Sequence, residues 1–157
     1  MGLTHMVSSG HYLAAAAGYR ILEQGGNAVD AGVASGIAIN VTLPNATNFG
    51  GVAPIMIYMA DTDRVNTISG LGRWPKSTSL DFYTSELGSN IPKGIHRTIV
   101  PSAPDAWLTA LEHFGTLTLR DVLQPALDLA QHGFPISNTT SKVLKKLSDA
   151  VHEDLDE

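Results

Sequence analysis

The side chain best suited to chemistry is Arg73, which follows Gly72 in the stretch Gly70-Leu-Gly-Arg-Trp-Pro75. A guanidinium is a planar fork of donors, so on a loop it can hold a carboxylate by two parallel hydrogen bonds. The same arginine can instead stack on Trp74 or pair with a nearby acid, and both readings stay open. Asp30 has the chemistry of an acid, but it stands three residues after Asn27, where a carboxylate caps a helix, and that role accounts for it. Gly50-Gly51 can cradle a phosphate, yet no Lys-Ser/Thr follows, which rules out a P-loop. The six histidines show no ligand spacing such as His-Glu-x-x-His, so no metal site is expected. The sequence has no cysteine, which removes disulfides, thiolate metal sites and a thiol nucleophile. No cofactor is expected, and no residue is assigned as catalytic.

The elements that must position Arg73 are legible from capping and periodicity. A first helix is expected over residues 9–24, capped by Ser8 or Ser9 and ended by Gly25-Gly26. Asn27 opens a second helix through Thr42, with Asp30 facing its positive end. Gly32 and Gly36 lie four apart in it, which predicts another backbone packed close to that face. Leu43-Pro44 ends it. Ile55-Met-Ile-Tyr-Met59 is a continuous apolar run, expected as a strand buried on both faces. Asp61-Thr-Asp63 supplies turn chemistry, and Arg64 to Ser69 returns as the second strand of a hairpin. The stretch from Gly70 to Gly94 is loop-rich, with a short helix near Leu80 to Leu87. Ser102, Pro104 and Asp105 start a helix that Gly115 stops. Thr118 and Asp121 form a capping box for the next, which contains Pro125 and ends before Gly133. Ser137 or Asn138 opens a last helix to about Val151, followed by an acidic tail, Glu153 to Glu157, expected to fray.

Composition bounds the rest. The 157 residues are read as a single domain, residues 1–157, with an α+β layout. Hydrophobic residues make up 43%, enough for a packed core. The net charge is −5 with scattered positive residues, so nucleic acid is not an expected partner. The apolar stretch from Ala31 to Leu43 is too short for a membrane span. Met1 to Gly10 lacks a basic region, so no signal peptide is expected and the compartment stays unknown. Asn40, Asn45 and Asn138 begin short glycosylation-type triplets that arise easily by chance. Residues 1–60 carry only Arg20, Glu23 and Asp30 as charged residues. A free-standing domain normally puts charge on the outer face of each helix. This region is therefore expected to be central to a fold or covered by a partner.

The order of motifs resembles the γ-glutamyltranspeptidase family from about Met6 to Ser137. Met6-Val-Ser-Ser-Gly-His11 resembles its opening strand and turn, and Gly25-Gly-Asn-Ala-Val-Asp-Ala31 matches its signature between the first two helices. Pro44 through Gly51 resembles the glycine-rich loop entering the first core strand. Gly70 through Pro75 resembles the loop after the hairpin. Val100 through Trp107, Phe114-Gly115, Leu123-Gln-Pro-Ala126 and Gly133 through Ser137 match the later helical segment. The resemblance implies the N-terminal portion of an N-terminal-nucleophile hydrolase (αββα) fold, mostly helical here with one β-hairpin. It implies a precursor that cleaves itself into two subunits. The new N-terminal threonine of the second attacks a γ-glutamyl amide, its own amine serving as base and backbone amides holding the oxyanion. The acyl group then passes to water or to an amino acid.

In the family, the loop after the hairpin carries an arginine that grips the substrate α-carboxylate. Counted from Pro75, that position falls near Leu71, and Arg73 stands two residues later. The Gly-x-Gly-Arg form, and Val52-Ala53 after Gly50-Gly51, resemble the acylase-like branch instead. Thr139-Thr140 invites comparison with the nucleophile, but the pair follows the large-subunit motif at Gly133 to Ser137 and reads as a helix start. The expected function is thus part of a γ-glutamyl, or related acyl, amide hydrolase or transferase that lacks the catalytic threonine segment. Its expected partners are the remaining large-subunit polypeptide, the small subunit carrying the nucleophile, and a small-molecule amide substrate. The alternative is a non-catalytic remnant or interaction module derived from the family.

Overall fold

His11 rather than Ser8 or Ser9 begins the first helix in the computed structural model, which describes residues 2–92 and 94–155, with side chains to 149. Helix α1 is Tyr12–Glu23, and the His11 Nδ1 accepts from the Leu13 amide at 3.3 Å. Gly25 takes a φ of 90°, the left-handed turn expected after the helix. Helix α2 is Ala28–Thr42 with the predicted reciprocal cap: Asn27 Oδ1 accepts from the Val29 and Asp30 amides, and Asp30 accepts from the Asn27 amide. Strands β1 (Ile55–Met59) and β2 (Arg64–Ile68) pair antiparallel, with Ile55 opposite Ile68 and Met59 opposite Arg64. A short π-helical turn covers Phe82–Glu86, and a 3₁₀ turn covers Ile95–Arg97. Helix α3 is Ala103–Phe114, α4 is Leu119–His132 with the Thr118–Asp121 capping box, and α5 is Asn138–Leu155. Helix α5 runs past the expected end at Val151. Within the acidic tail, Asp156 and Glu157 lie outside the described residues. The expected α+β class holds: helices with one two-stranded hairpin.

The chain divides into two compact units. The first comprises residues 1–48 and 110–157. In it α2 packs against both α1 and α4. Buried Ala14, Ala17 and Ile21 of α1 meet a helix whose Val29, Val33, Ala34, Ile37 and Ala38 are also buried. Most of the α2 surface is buried, with the side bearing Gly32 left open, which fits its carrying one charged residue only. Arg20 and Asp128 join α1 to α4 by an exposed ion pair at 2.8 Å. The Gln124 amide, and then Arg20, hold the Asp128 carboxyl below its usual range.

Gly32, one of the two glycines expected at a close helix approach, does not make one. Gly32 is exposed, with nothing within 4 Å of where its Cβ would stand. Gly18 of α1 makes the approach instead: a Cβ there would lie 2.7 Å from the Ala31 carbonyl oxygen and 3.0 Å from Val7 Cγ1. Spacing within one helix locates a possible contact face, but the partner decides which face is used.

The second unit, residues 49–109, holds the hairpin. Burial along β1 alternates, and only Ile57 is fully buried. The expectation of a strand covered on both faces therefore fails within this chain. A hairpin has only two strands, and among the described residues nothing covers the face bearing Met56 and Tyr58, which are 76% and 59% exposed.

Two glycine substitutions of the same type are expected to act with opposite sign. Gly18→Ala forces a methyl onto the Ala31 carbonyl and should cost about 1–3 kcal/mol. Gly32→Ala adds an unopposed methyl to an exposed helix and should stabilise by about 0.5–1 kcal/mol. Urea unfolding of both variants checks this, and equal midpoints would refute it.

Candidate functional site

The candidate site belongs to the second unit and starts from two glycines. Gly70 has a φ of 54°, which an L side chain rarely adopts, and a Cβ there would collide with the Ala53 carbonyl. The Ala53 amide donates to the Gly70 carbonyl at 3.0 Å, extending the hairpin ladder beyond Ile55. A Cβ on Gly72 would collide with the Val100 carbonyl. The Val100 amide then donates to the Arg73 carbonyl at 3.1 Å. The main chain of Gly70 to Arg73 is thus gripped from both sides by neighbouring backbone. The spacing Gly-x-Gly-Arg has a direct cause: each glycine meets a carbonyl where no side chain fits.

Arg73 is exposed. Among the described residues its guanidinium makes no hydrogen bond, ion pair or stacking contact, and Trp74 stacks on Tyr83 with centroids 5.3 Å apart and planes at 25°. The loop therefore fixes the Arg73 backbone and leaves its charge in water.

Beyond Arg73 lies an open cleft of about 430 Å³, lined by Trp74, Thr78, Phe82, Tyr83, His96 and Thr98 among others. Phe82 meets Tyr83 edge-on at 5.5 Å and meets His96 at 5.5 Å. The Tyr83 hydroxyl donates to the His96 carbonyl at 2.9 Å. The Arg97 guanidinium donates twice to the Ile91 carbonyl, at 2.9 and 2.7 Å, tying down the far wall. Arg73 itself does not line this cleft. Sequence reasoning missed the cleft. The available signal was that Trp74, Phe82 and Tyr83 crowd into one short loop segment.

The other candidates have structural partners. In the first unit, Asp30 is fully buried. Beyond its cap, it accepts from the Thr116 hydroxyl at 2.6 Å, the Thr116 amide at 3.0 Å and the Leu117 amide at 3.2 Å. Asn27 Nδ2 donates to the Phe114 carbonyl at 2.6 Å. The α2 cap thus also holds the turn between α3 and α4. Thr140 is buried, and its amide and hydroxyl both engage the Ser137 hydroxyl, at 3.1 and 2.9 Å. It is part of a helix start. The Gly51 carbonyl accepts from the Ser102 and Ala103 amides at 3.3 and 3.2 Å, so Gly50-Gly51 turns onto the first turn of α3. Among the described residues, no three His, Asp or Glu side chains gather as a metal site, and no helix is long and apolar enough to cross a membrane.

Comparison with known proteins gives the context. Residues 14–156 match the model of the gamma-glutamyltranspeptidase family. The glutathione hydrolase-like YwrD proenzyme of Bacillus subtilis (strain 168) is 43% identical over 139 residues, which are 87% of this chain and 26% of that protein. The acylase ACY 1 proenzyme of Pseudomonas sp. (strain V22) is 38% identical over 87% of this chain and 26% of its own length. The chain thus spans about a quarter of the curated relatives it matches. The γ-glutamyltranspeptidase of Helicobacter pylori superposes with a TM-score of 0.83 at 30% identity, over 93% of this chain and 43% of that one. A cephalosporin acylase from Bacillus halodurans gives 0.77 at 32% identity, over 90% of this chain and 26% of that one. The fold is the α+β portion of an N-terminal-nucleophile hydrolase that these relatives share.

A structural Asp30 and a catalytic Asp30 differ in what its loss does. Asp30→Asn keeps the shape but sets an NH₂ group against amide donors. It should cost about 2–4 kcal/mol, the loss of charge-assisted bonds in a buried site. Urea unfolding reads this directly, and an unchanged midpoint would mean that the carboxylate is not what holds the turn.

Proposed function

The chain belongs to the γ-glutamyltranspeptidase family, and from that premise we propose that it is part of the large-subunit region of an amide hydrolase or acyl transferase. The observation that carries the proposal is the uncovered hairpin. Met56, Tyr58 and Val65 present an exposed apolar face, and among the described residues no further strand pairs with either outer edge. An apolar sheet edge of this kind is a template for further strands. In this reading the remaining polypeptide supplies them, together with the nucleophilic threonine that the family resemblance implies. The side of α2 that this chain leaves open, around Gly32, carries no charged residue and supports the same reading.

Within that assembly, the Gly70 to Pro75 loop sits at the substrate side. Its backbone is held by Ala53 and Val100, and Arg73 offers a permanent positive charge to a substrate carboxylate. The substrate is a small-molecule amide, cleaved through an acyl intermediate that water or an amine resolves. The match to an acylase and the Gly-x-Gly-Arg form support a substrate outside strict γ-glutamyl specificity.

Two measurements test this. The 157-residue chain should show no turnover of a γ-glutamyl anilide. Turnover above background that disappears on mutating Thr139 or Thr140 would overturn the placement of the nucleophile, and a stable, monodisperse isolated chain would favour the remnant reading. In the complete protein, Arg73→Ala should raise KM for carboxylate-bearing substrates by an amount equal to about 1.5–3 kcal/mol. Arg73→Lys should recover only part of it, because an ammonium lacks the fork. A lowered melting temperature with unchanged KM would end the binding role.

A further inference from the structure

We propose that the cleft of the second unit is a binding site for an uncharged aromatic ring that carries a hydrogen-bonding group, such as a benzamide. The proposed function gives this cleft no role, and the inference takes nothing from Arg73, which does not line it.

The rings decide the shape of the guest. Trp74, Tyr83, Phe82 and His96 form a continuous run, each ring centroid within 5.5 Å of the next. The run turns a corner: Trp74 and Tyr83 are stacked with planes at 25°, whereas Phe82 stands at 81° to Tyr83. Aromatic rings gain both from stacking and from edge-to-face contact, and walls set at an angle offer a planar guest the two together. A puckered aliphatic ring of the same size can use neither. The volume of about 430 Å³ falls in the range of small-molecule clefts.

The polar side chains of the lining decide the substituent, and they divide into two sets. The Tyr83 hydroxyl is committed to the His96 carbonyl at 2.9 Å, and the Thr98 hydroxyl to the Ile95 carbonyl at 2.6 Å. Both bonds tie the walls to the main chain. The Ser77 and Thr78 hydroxyls and the His96 imidazole line the same cleft and make no hydrogen bond among the described residues. A hydroxyl donates and accepts, and an imidazole offers two ring nitrogens, so this set suits a carboxamide, which also donates and accepts. No Asp, Glu, Lys or Arg is among the described lining residues, so a charged guest would give up hydration there without gaining an ion pair from them. The loop is also held before any guest arrives: the Thr78 amide donates to the Pro75 carbonyl at 2.9 Å, and the Ser89 amide to the Tyr83 carbonyl at 2.8 Å. Walls fixed in this way lose little freedom on binding.

Titration of the 157-residue chain, followed by NMR at the Trp74 indole N–H, tests the inference without any need for turnover. Benzamide should shift that resonance saturably and leave the buried Trp107 indole unmoved. Cyclohexanecarboxamide, which keeps the amide and loses the flat ring, should bind about fivefold more weakly. Benzoate, which keeps the ring and gains a charge, should also bind more weakly than benzamide. Phe82→Leu, which keeps apolar bulk at an exposed position, should weaken benzamide and leave cyclohexanecarboxamide as it was. Removing both hydroxyls, Ser77→Ala with Thr78→Val, should weaken benzamide about threefold through lost hydrogen bonding. Absence of saturable benzamide binding overturns the proposal. So does equal affinity for the two amides, tighter binding of benzoate, a ring preference untouched by Phe82→Leu, or a double variant that binds benzamide like the parent. The comparison of the three ligands needs no variant, so it decides the matter even where a substitution unfolds the unit.

Discussion

Asp30 has no exposed surface and, among the described residues, no cationic partner, so its carboxylate has to be satisfied by N–H and O–H donors. Those donors come from two distant places in the chain. One is the start of its own helix, where the Asn27 amide and the positive helix end face it. The other is the turn at Thr116 and Leu117, which points two amides and a hydroxyl at the same two oxygens. Neither end can move without stranding a buried charge. The geometry even dictates Gly115, where a Cβ would lie 2.7 Å from Asp30 Oδ1. The packing of α2 among its neighbours in the first unit is built around this node.

The second unit is organised by different means. It has few fully buried side chains, and its loop is placed by main-chain contacts: Ala53 against Gly70, Val100 against Gly72, and Gly51 against the first amides of α3. The Trp107 ring, set edge-on to Phe49 at 5.2 Å, is one of the few large side chains it buries, with Ile57. A unit ordered this way keeps apolar surface exposed on its hairpin, which is costly in water unless something covers it.

Much of this was legible locally. The Asn27–Asp30 and Thr118–Asp121 pairs are each three residues apart, and that spacing alone specifies a reciprocal cap. The Gly25-Gly26 stop and the Asp61 to Asp63 turn are of the same kind. Interactions between distant segments were not legible. Thr116 lies 86 residues from Asp30, and no local rule links them. Gly32 was expected at a close approach and makes none, whereas Gly18, a lone glycine among alanines, lies against a carbonyl of α2. The β1 run read as doubly buried because all five of its residues are apolar, whereas the described residues supply only one neighbouring strand. The cleft was invisible because Trp74 and His96 meet through Tyr83 and Phe82, a closure that depends on how the loop folds back.

Arg73 shows how the legible and illegible parts combine. The sequence identified it by type and by its glycine neighbours, and offered stacking on Trp74 as the rival explanation. The structure gives Trp74 to Tyr83 and gives the Arg73 carbonyl to Val100. Its position is therefore specified by its backbone, and among the described residues no partner engages its charge. A guanidinium engaged by a neighbouring acid would have to break that pair before meeting a substrate, and the exchange would return little net energy. One held only through its main chain can spend its full hydrogen-bonding capacity on an incoming carboxylate. The two glycines make this possible, since each lets a carbonyl press against the loop where a side chain would have pushed it away.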